Sequence, residues 1–262
     1  QEIAGYRDVL SIIHESFDAI PITQNYILQL HKILYSHMNN PIAGRTKTVQ
    51  NYISATYPDG HVETLFTPLA PYETPEALER ICEEYNRVIG NMELEPLIAI
   101  PVFIHDFLCI HPFNDGNGRM SRLLTTLLLY QNGFYVGRYI SLEAKIAKNK
   151  DLYYDALARS QTGWHEGTED AVPFIKYLLG TILSAYKDFE DRMALVETKL
   201  PALEMVRRAS KNKIGRFSKQ DIRELCPTIS DSSIEGALRK LVAAGELKKE
   251  GRGKNTCYFR LN

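Results

Sequence analysis

The stretch His111-Pro112-Phe113-Asn114-Asp115-Gly116-Asn117-Gly118-Arg119-Met120-Ser121-Arg122 lies between two strongly apolar runs. Leu97–Cys109 before it and Asn117–Gln131 through and after it are predicted as helices, the second closed by Asn132-Gly133 as a left-handed C-cap. Helices this apolar belong in a core. The link between them is polar and glycine-bearing, so it must emerge from that core as a surface loop whose backbone is free to meet a ligand.

The flanking chain supplies the rest of a helical body. Ile3–Met38 shows apolar residues at helical spacing, with Pro21 and Thr23 marking a break between two amphipathic helices. Pro41–Gly44 ends that pattern. Val49–Thr56 and Val62–Phe66 are β-prone runs around the turn signal Tyr57-Pro58-Asp59-Gly60, which predicts a short hairpin. Pro75 marks a further helix start, with Glu76 and Glu79 in its first turn, and more helices are expected at Lys150–Ser160 and Val172–Val196. The fold class is mainly α, with one projecting hairpin.

The tail has another rhythm. Helices near Ala202–Ser210, Ser218–Leu225 and Ser232–Ala244 precede strands at Leu247–Lys249 and Thr256–Leu261 around Gly251-Arg252-Gly253. Three helices and a wing give the winged helix-turn-helix order, a small α/β domain. The expected division is 1–198 and 199–262. Charge divides the chain in the same place: residues 199–262 hold 15 Lys+Arg against 7 Asp+Glu, and the rest holds 16 against 25. A basic tail behind an acidic body points to an anionic partner for the tail.

At 262 residues and 44% hydrophobic, the chain has material for two packed cores. No apolar run is long enough to span a bilayer, which argues against membrane insertion. Cys82, Cys109, Cys226 and Cys257 stand far apart without a C-x-x-C pair, so reduced thiols in the cytoplasm are expected, with neither a disulfide framework nor a zinc site.

The loop's chemistry is that of a phosphate cradle. Gly116 and Gly118 let the backbone approach an anion, and the free N–H groups of the first helical turn point at it. Arg119 and Arg122 are three residues apart on one helix face and reach neighbouring phosphates, which makes a triphosphate the natural ligand. Asp115 provides the single carboxylate with which Mg²⁺ is held against phosphate oxygens. His111 ends the preceding helix, and its imidazole is the candidate general base for an incoming hydroxyl. Pro112 stiffens the turn, and Phe113 is expected to plug the core beneath it.

His111–Arg122 resembles the Fic-domain signature H-P-F-x-[DE]-G-N-G-R-x-x-R and matches it at every specified position, Asn114 filling the variable one and counted, with Asp115 to Arg119, among the nucleotide-binding residues. The resemblance extends over roughly residues 1–195. It implies a protein adenylyltransferase that moves AMP from ATP to a Ser, Thr or Tyr hydroxyl of a target protein or of itself. His111 would be the base, Asp115 the magnesium ligand, and Asn117 with the glycine backbone the α-phosphate anion hole. Arg119 and Arg122 would bind the outer phosphates, and Gly118 stands where phosphorylating members carry a lysine. Transfer of UMP or another nucleotide group remains a close variant. By the same resemblance, Ile53, Ser54 and Ala55 lie in a flap that aligns the target by strand pairing, and Tyr153 and Gln161 fall where members contact the nucleotide.

Other residues carry plainer expectations. His105 is a core residue, Trp164-His165-Glu166 a packing element, and Tyr153 and Tyr154 divide between core and pocket. Many Fic proteins are restrained by a helix bearing [ST]-x-x-x-E-[GN]. Thr162–Gly167 fits those letters but lies in a connecting segment, Ser11–Ser16 ends in the wrong residue, and Ser233–Gly236 lacks the hydroxyl at the required spacing. The restraint is therefore expected before Gln1 or from a partner protein. For the tail, Ser232–Ala244 would be the recognition helix and Lys248–Lys254 the wing of a DNA reader. Dimerisation, as a homodimer, or target docking is the competing role, and a DNA-binding regulator with a nucleotide-sensing body is the alternative function.

Overall fold

The computed structural model describes residues 2–56, 59–197, 201–213, 215–251, 253 and 256–260. The chain forms two compact units, Gln1–Ala185 and Tyr186–Asn262. The expected cut at 198/199 and the turn residues Tyr57 and Pro58 lie outside the described residues, as do parts of the expected wing.

In the first unit, α1 (Glu2–Ser16) and α2 (Gln24–Leu34) pack closely enough that a Cβ on Gly5 would fall 2.0 Å from the Leu34 carbonyl oxygen, so only glycine fits there. Thr23 caps α2 by accepting the Tyr26 N–H. The hairpin is β1 (Ile53–Thr56) against β2 (Val62–Phe66), antiparallel, with Ser54 opposite Thr64 and an irregularity between Ile53 and Ser54. It is four residues shorter at its start than Val49–Thr56 suggested. Residues 47–51 spend their hydrogen bonds elsewhere: the Lys47 N–H on the Pro112 carbonyl and Gln50 on the Pro68 carbonyl.

Next come α3 (Thr74–Gly90), α4 (Pro96–Ile110) and α5 (Asn117–Gln131). Pro75 and Pro96 occupy first-turn positions, where a missing N–H costs nothing. The last two helices are the centre of the unit: Phe103, Phe107, Leu108, Leu123, Leu124, Leu127 and Leu128 are all buried. α6 (Leu142–Lys148) was not legible in the apolar pattern, being only seven residues long; Ser141 caps it by accepting the Ala144 N–H. α7 (Lys150–Gln161) and α8 (Val172–Glu197) complete the helices of this region, and α8 runs past the division between the units.

The second unit contains α9 (Ala202–Lys211), α10 (Lys219–Leu225), α11 (Asp231–Ala243), β3 (Leu247–Glu250) and β4 (Cys257–Arg260). Ser218 and Asp221 form a reciprocal capping box on α10, and Ser230 caps α11. β3 and β4 pair antiparallel, and Phe217 bridges to Tyr258 through two backbone hydrogen bonds of 2.9 and 2.7 Å. Val206, Ile222, Cys226, Ile234, Leu238 and Leu241 make its core.

Candidate active site

The loop between α4 and α5 is built from both ends. α4 stops because His111 turns left-handed, with φ 52° and ψ 62°, while its N–H bonds the Phe107 carbonyl at 2.9 Å. A non-glycine residue there costs about 1–2 kcal/mol of backbone strain, so neighbouring contacts must hold it. His111 Nδ1 lies 3.2 Å from the Leu108 carbonyl oxygen. A carbonyl only accepts, so Nδ1 carries the proton and Nε2 keeps its lone pair, the form a base requires. Burial pushes the imidazole pKa down to about 4; the Leu108 carbonyl opposes this and the Lys47 charge adds to it.

Phe113 is fully buried beneath the loop, stacked on the His31 ring at 3.7 Å and 4°. Asn117 braces it twice: its side chain accepts the Phe113 N–H at 2.9 Å and donates to the Phe113 carbonyl at 2.7 Å. The Asn117 amide thus holds the loop, and what it offers an anion is its main-chain N–H. Gly116 takes the N-cap of α5 with φ 88°, and a Cβ there would lie 3.1 Å from Tyr35 Oη and 3.3 Å from His31 Nε2. With no capping side chain at Gly116, the N–H groups of the first turn stay open, a ready anion site.

Two α2 residues, His31 and Tyr35, grip Asp115. The Gly44 N–H donates to His31 Nδ1 at 3.0 Å, so Nε2 is the protonated nitrogen and donates to the Asp115 carbonyl at 3.0 Å. Burial holds the His31 pKa down near 4, Arg119 adding to this and the Asp115 carbonyl opposing. Tyr35 Oη donates to Asp115 Oδ2 at 2.5 Å and accepts from Arg119 Nη2 at 2.7 Å. Arg119 also bonds Asp115 Oδ2 at 2.9 Å, lies over the Tyr35 ring and pairs with Glu2 at 3.2 Å. Partial burial raises the Asp115 pKa, but the bonds from Tyr35, the Gly116 N–H and Arg119 outweigh it and the net shift is downward. Asp115 therefore stays a carboxylate.

That carboxylate is exposed and keeps a spare lone pair on Oδ1. Among the described residues no group of three or more His, Cys, Asp or Glu is placed to hold a metal. One carboxylate beside an open anion site suits Mg²⁺, which takes one or two protein ligands and completes its shell with phosphate oxygens and water. Asn114 is exposed at the loop tip.

Gly118 faces Arg122: a Cβ there would lie 3.5 Å from Arg122 Nη1, an ordinary contact. The Tyr6 hydroxyl donates to Glu143 Oε1 at 2.7 Å within the field of Arg122. Tyr153 packs among Tyr154, Phe174 and Tyr177, with its hydroxyl near Ser121 and Arg122. Gln161 is buried beside Cys109. His105 is buried against Cys109, as expected of a core residue.

Ile53, Ser54 and Ala55 lie on β1, whose only partner among the described strands is β2. The base of that hairpin is anchored by the 3-10 turn Trp164–Glu166. His165 stacks on Phe66 and donates to the Thr67 carbonyl at 2.8 Å, and Trp164 donates to Asp106 at 2.9 Å. Within Thr162–Gly167, Trp164–Glu166 therefore form a short 3-10 packing turn between two left-handed glycines rather than an α-helix.

His31, Tyr35, Lys47 and Asn51 were not singled out by sequence. His31 had a faint signal, a polar residue inside the buried stripe Ile27, Leu30, Leu34 of α2. Nothing local marks Lys47 or Asn51.

Residues 21–129 match the family model described as the Fic/DOC family. The chain is 29% identical to a protein adenylyltransferase of Caenorhabditis elegans over 124 residues, 47% of this chain and 22% of that one. It is 28% identical over 137 residues to a Fido domain-containing protein of Dictyostelium discoideum, 51% of this chain and 91% of that one. The protein adenylyltransferase Fic of Nematostella vectensis is 24% identical over 184 residues, 68% of this chain and 36% of that one. The chain thus spans about a fifth to a third of the adenylyltransferases it matches. In fold it is similar to a Fic family protein of Desulfovibrio desulfuricans, with a TM-score of 0.57 at 20% identity, covering 100% of this chain and 74% of that one. A Fic domain-containing signaling protein of Bacteroides thetaiotaomicron gives a TM-score of 0.57 at 22% identity over 72% of this chain and 70% of that one.

Proposed function

We propose that this chain, which carries a Fic/DOC-family domain over residues 21–129, transfers AMP from ATP to a Ser, Thr or Tyr hydroxyl of a protein and releases pyrophosphate. The observation that carries the reading is His111: Nδ1 is committed to Leu108, and Nε2 is left as a lone-pair nitrogen on the loop that opens α5. Nε2 takes the hydroxyl proton as the oxygen bonds the α-phosphorus, and the bond from that phosphorus to the bridging oxygen breaks. The α-phosphate would rest on the N–H groups at Asn117 and Gly118, and Arg119 and Arg122 would hold the outer phosphates and offset charge on the leaving pyrophosphate. Asp115 would hold magnesium, which when bound lessens the phosphate charge. Tyr153 and Gln161 would line the nucleotide side, and Ile53, Ser54 and Ala55 would present a strand edge to the target.

The test is incubation with ATP labelled at the α-phosphate. Label is expected on protein with the wild type and not with His111→Ala. Equal labelling by both would remove His111 from the mechanism, and none by either would remove the activity.

A second reading applies to residues 199–262. Three helices followed by a hairpin, with 15 basic against 7 acidic residues, support DNA binding by a winged helix.

A further inference from the structure

A buried ammonium lies under the candidate base, and none of the roles above uses it. Lys47 is 2% exposed and makes no ion pair among the described residues. Its Nζ donates to the Ile110 carbonyl at 2.8 Å and to Asn51 Oδ1 at 3.1 Å, and its backbone N–H donates to the Pro112 carbonyl at 2.8 Å. Asn51 Nδ2 then donates to the Phe113 carbonyl at 3.0 Å. The carbonyls of Ile110, Pro112 and Phe113 surround His111, the residue forced to φ 52°. A strained residue persists only where its surroundings over-determine it. Here one five-residue segment fixes the peptide groups on both sides of it.

The charge has a physical reason to be there. The Ile110 carbonyl is the C-terminal end of α4, where free carbonyls and the helix dipole favour a cation. Burial still lowers the Lys47 pKa to about 8, which leaves it mostly protonated at neutral pH. Among the described residues, Lys47 is also the charged group whose field acts on His111.

We infer that Lys47 is a positioning residue for His111: with Asn51 it clasps the left-handed turn that carries the imidazole and ties that turn to the base of the β1–β2 hairpin. Asn51 is two residues before Ile53, so whatever the flap engages is mechanically joined to the base. The idea rests on His111 being the base, but its first readout does not.

That readout is long-range ¹⁵N NMR of the His111 ring in the ligand-free, full-length protein. The wild type should show a single neutral Nδ1–H form. Lys47→Met, similar in length but without donor or charge, should show mixed tautomers, and Lys47→Arg should restore the wild-type pattern. In AMP transfer, Lys47→Met should lower kcat at least about ten-fold with the KM for ATP within about two-fold, and Lys47→Arg should recover most of the loss. If Lys47→Met does not fold, Asn51→Ala removes the outer half of the clasp; it should disturb the ring signals and lower kcat in the same direction, by less. An unchanged ring pattern in a folded Lys47→Met or Asn51→Ala protein overturns the inference. A changed pattern in a protein without transferase activity upholds the clasp and removes the proposed reaction.

Discussion

The two histidines that frame the loop are both held neutral, and this fixes the sign of an acid response. His31 and His111 fall from 6.5 to about 4 on folding, so between those values the unfolded chain binds more protons than the folded one. Stability is then full above about pH 6.5 and is lost as pH falls towards 4, by roughly 3 kcal/mol at most for each histidine. Trp164 is the only tryptophan and belongs to the first unit, so its fluorescence follows the relevant transition. Urea midpoints read this way should fall between pH 7 and 4.5, and fall less steeply in His31→Gln. Equal pH slopes would show that His31 is not the group titrating.

Gly116 gives a second test at this scale. Adding a methyl at φ 88° costs about 1–2 kcal/mol from the backbone alone, and it would press on Tyr35 Oη at 3.1 Å and His31 Nε2 at 3.3 Å. Gly116→Ala should therefore lower unfolding stability by at least that amount and weaken MgATP binding in calorimetry. A variant of wild-type stability and affinity would mean that the cradle tolerates a side chain. The glycines, arginines and His111 were legible because they are contiguous. His31, Tyr35, Lys47 and Asn51 were not, because their importance arises from contacts across 62–84 positions of sequence, such as Tyr35 with Asp115 and Lys47 with Ile110.

Among the elements, the long apolar helices were read almost to the residue. Asn117–Gln131 and its Asn132-Gly133 stop stand as expected because periodicity, cap and terminator agree. β1 starts later than expected because, within Val49–Tyr52, Gln50 donates to the Pro68 carbonyl and Asn51 to the Phe113 carbonyl, a tertiary constraint on a local preference. At the base of the hairpin, Phe66 packs against His165 and Trp164. Phe66→Ala should raise hydrogen exchange of the β1 and β2 amides and lower labelling of protein targets, while MgATP affinity stays within about two-fold. Protection that does not change would show that the hairpin is held by its own pairing, and the anchoring role would go.

Over the whole molecule, the tail's excess of positive charge has to be weighed against how that charge is used. On the α10–α11 surface, Lys219 pairs with Glu235 at 2.7 Å and Arg223 pairs with Asp231. These pairs are about half exposed, so each contributes little, on the order of 0–1 kcal/mol, and phosphate can displace them at small cost. They still reduce the field a nucleic acid would meet. If α11 reads DNA, replacing Asp231 by Asn and Glu235 by Gln frees two cations without removing a donor. Affinity for genomic fragments in mobility shifts should then rise several-fold at low salt, and the plot of log affinity against log salt should steepen by roughly two. If the tail instead serves docking or dimerisation, the double variant leaves DNA affinity at its background value and changes self-association or target capture. Wild-type protein that binds no DNA at low salt would assign the basic excess to a protein partner with an acidic face.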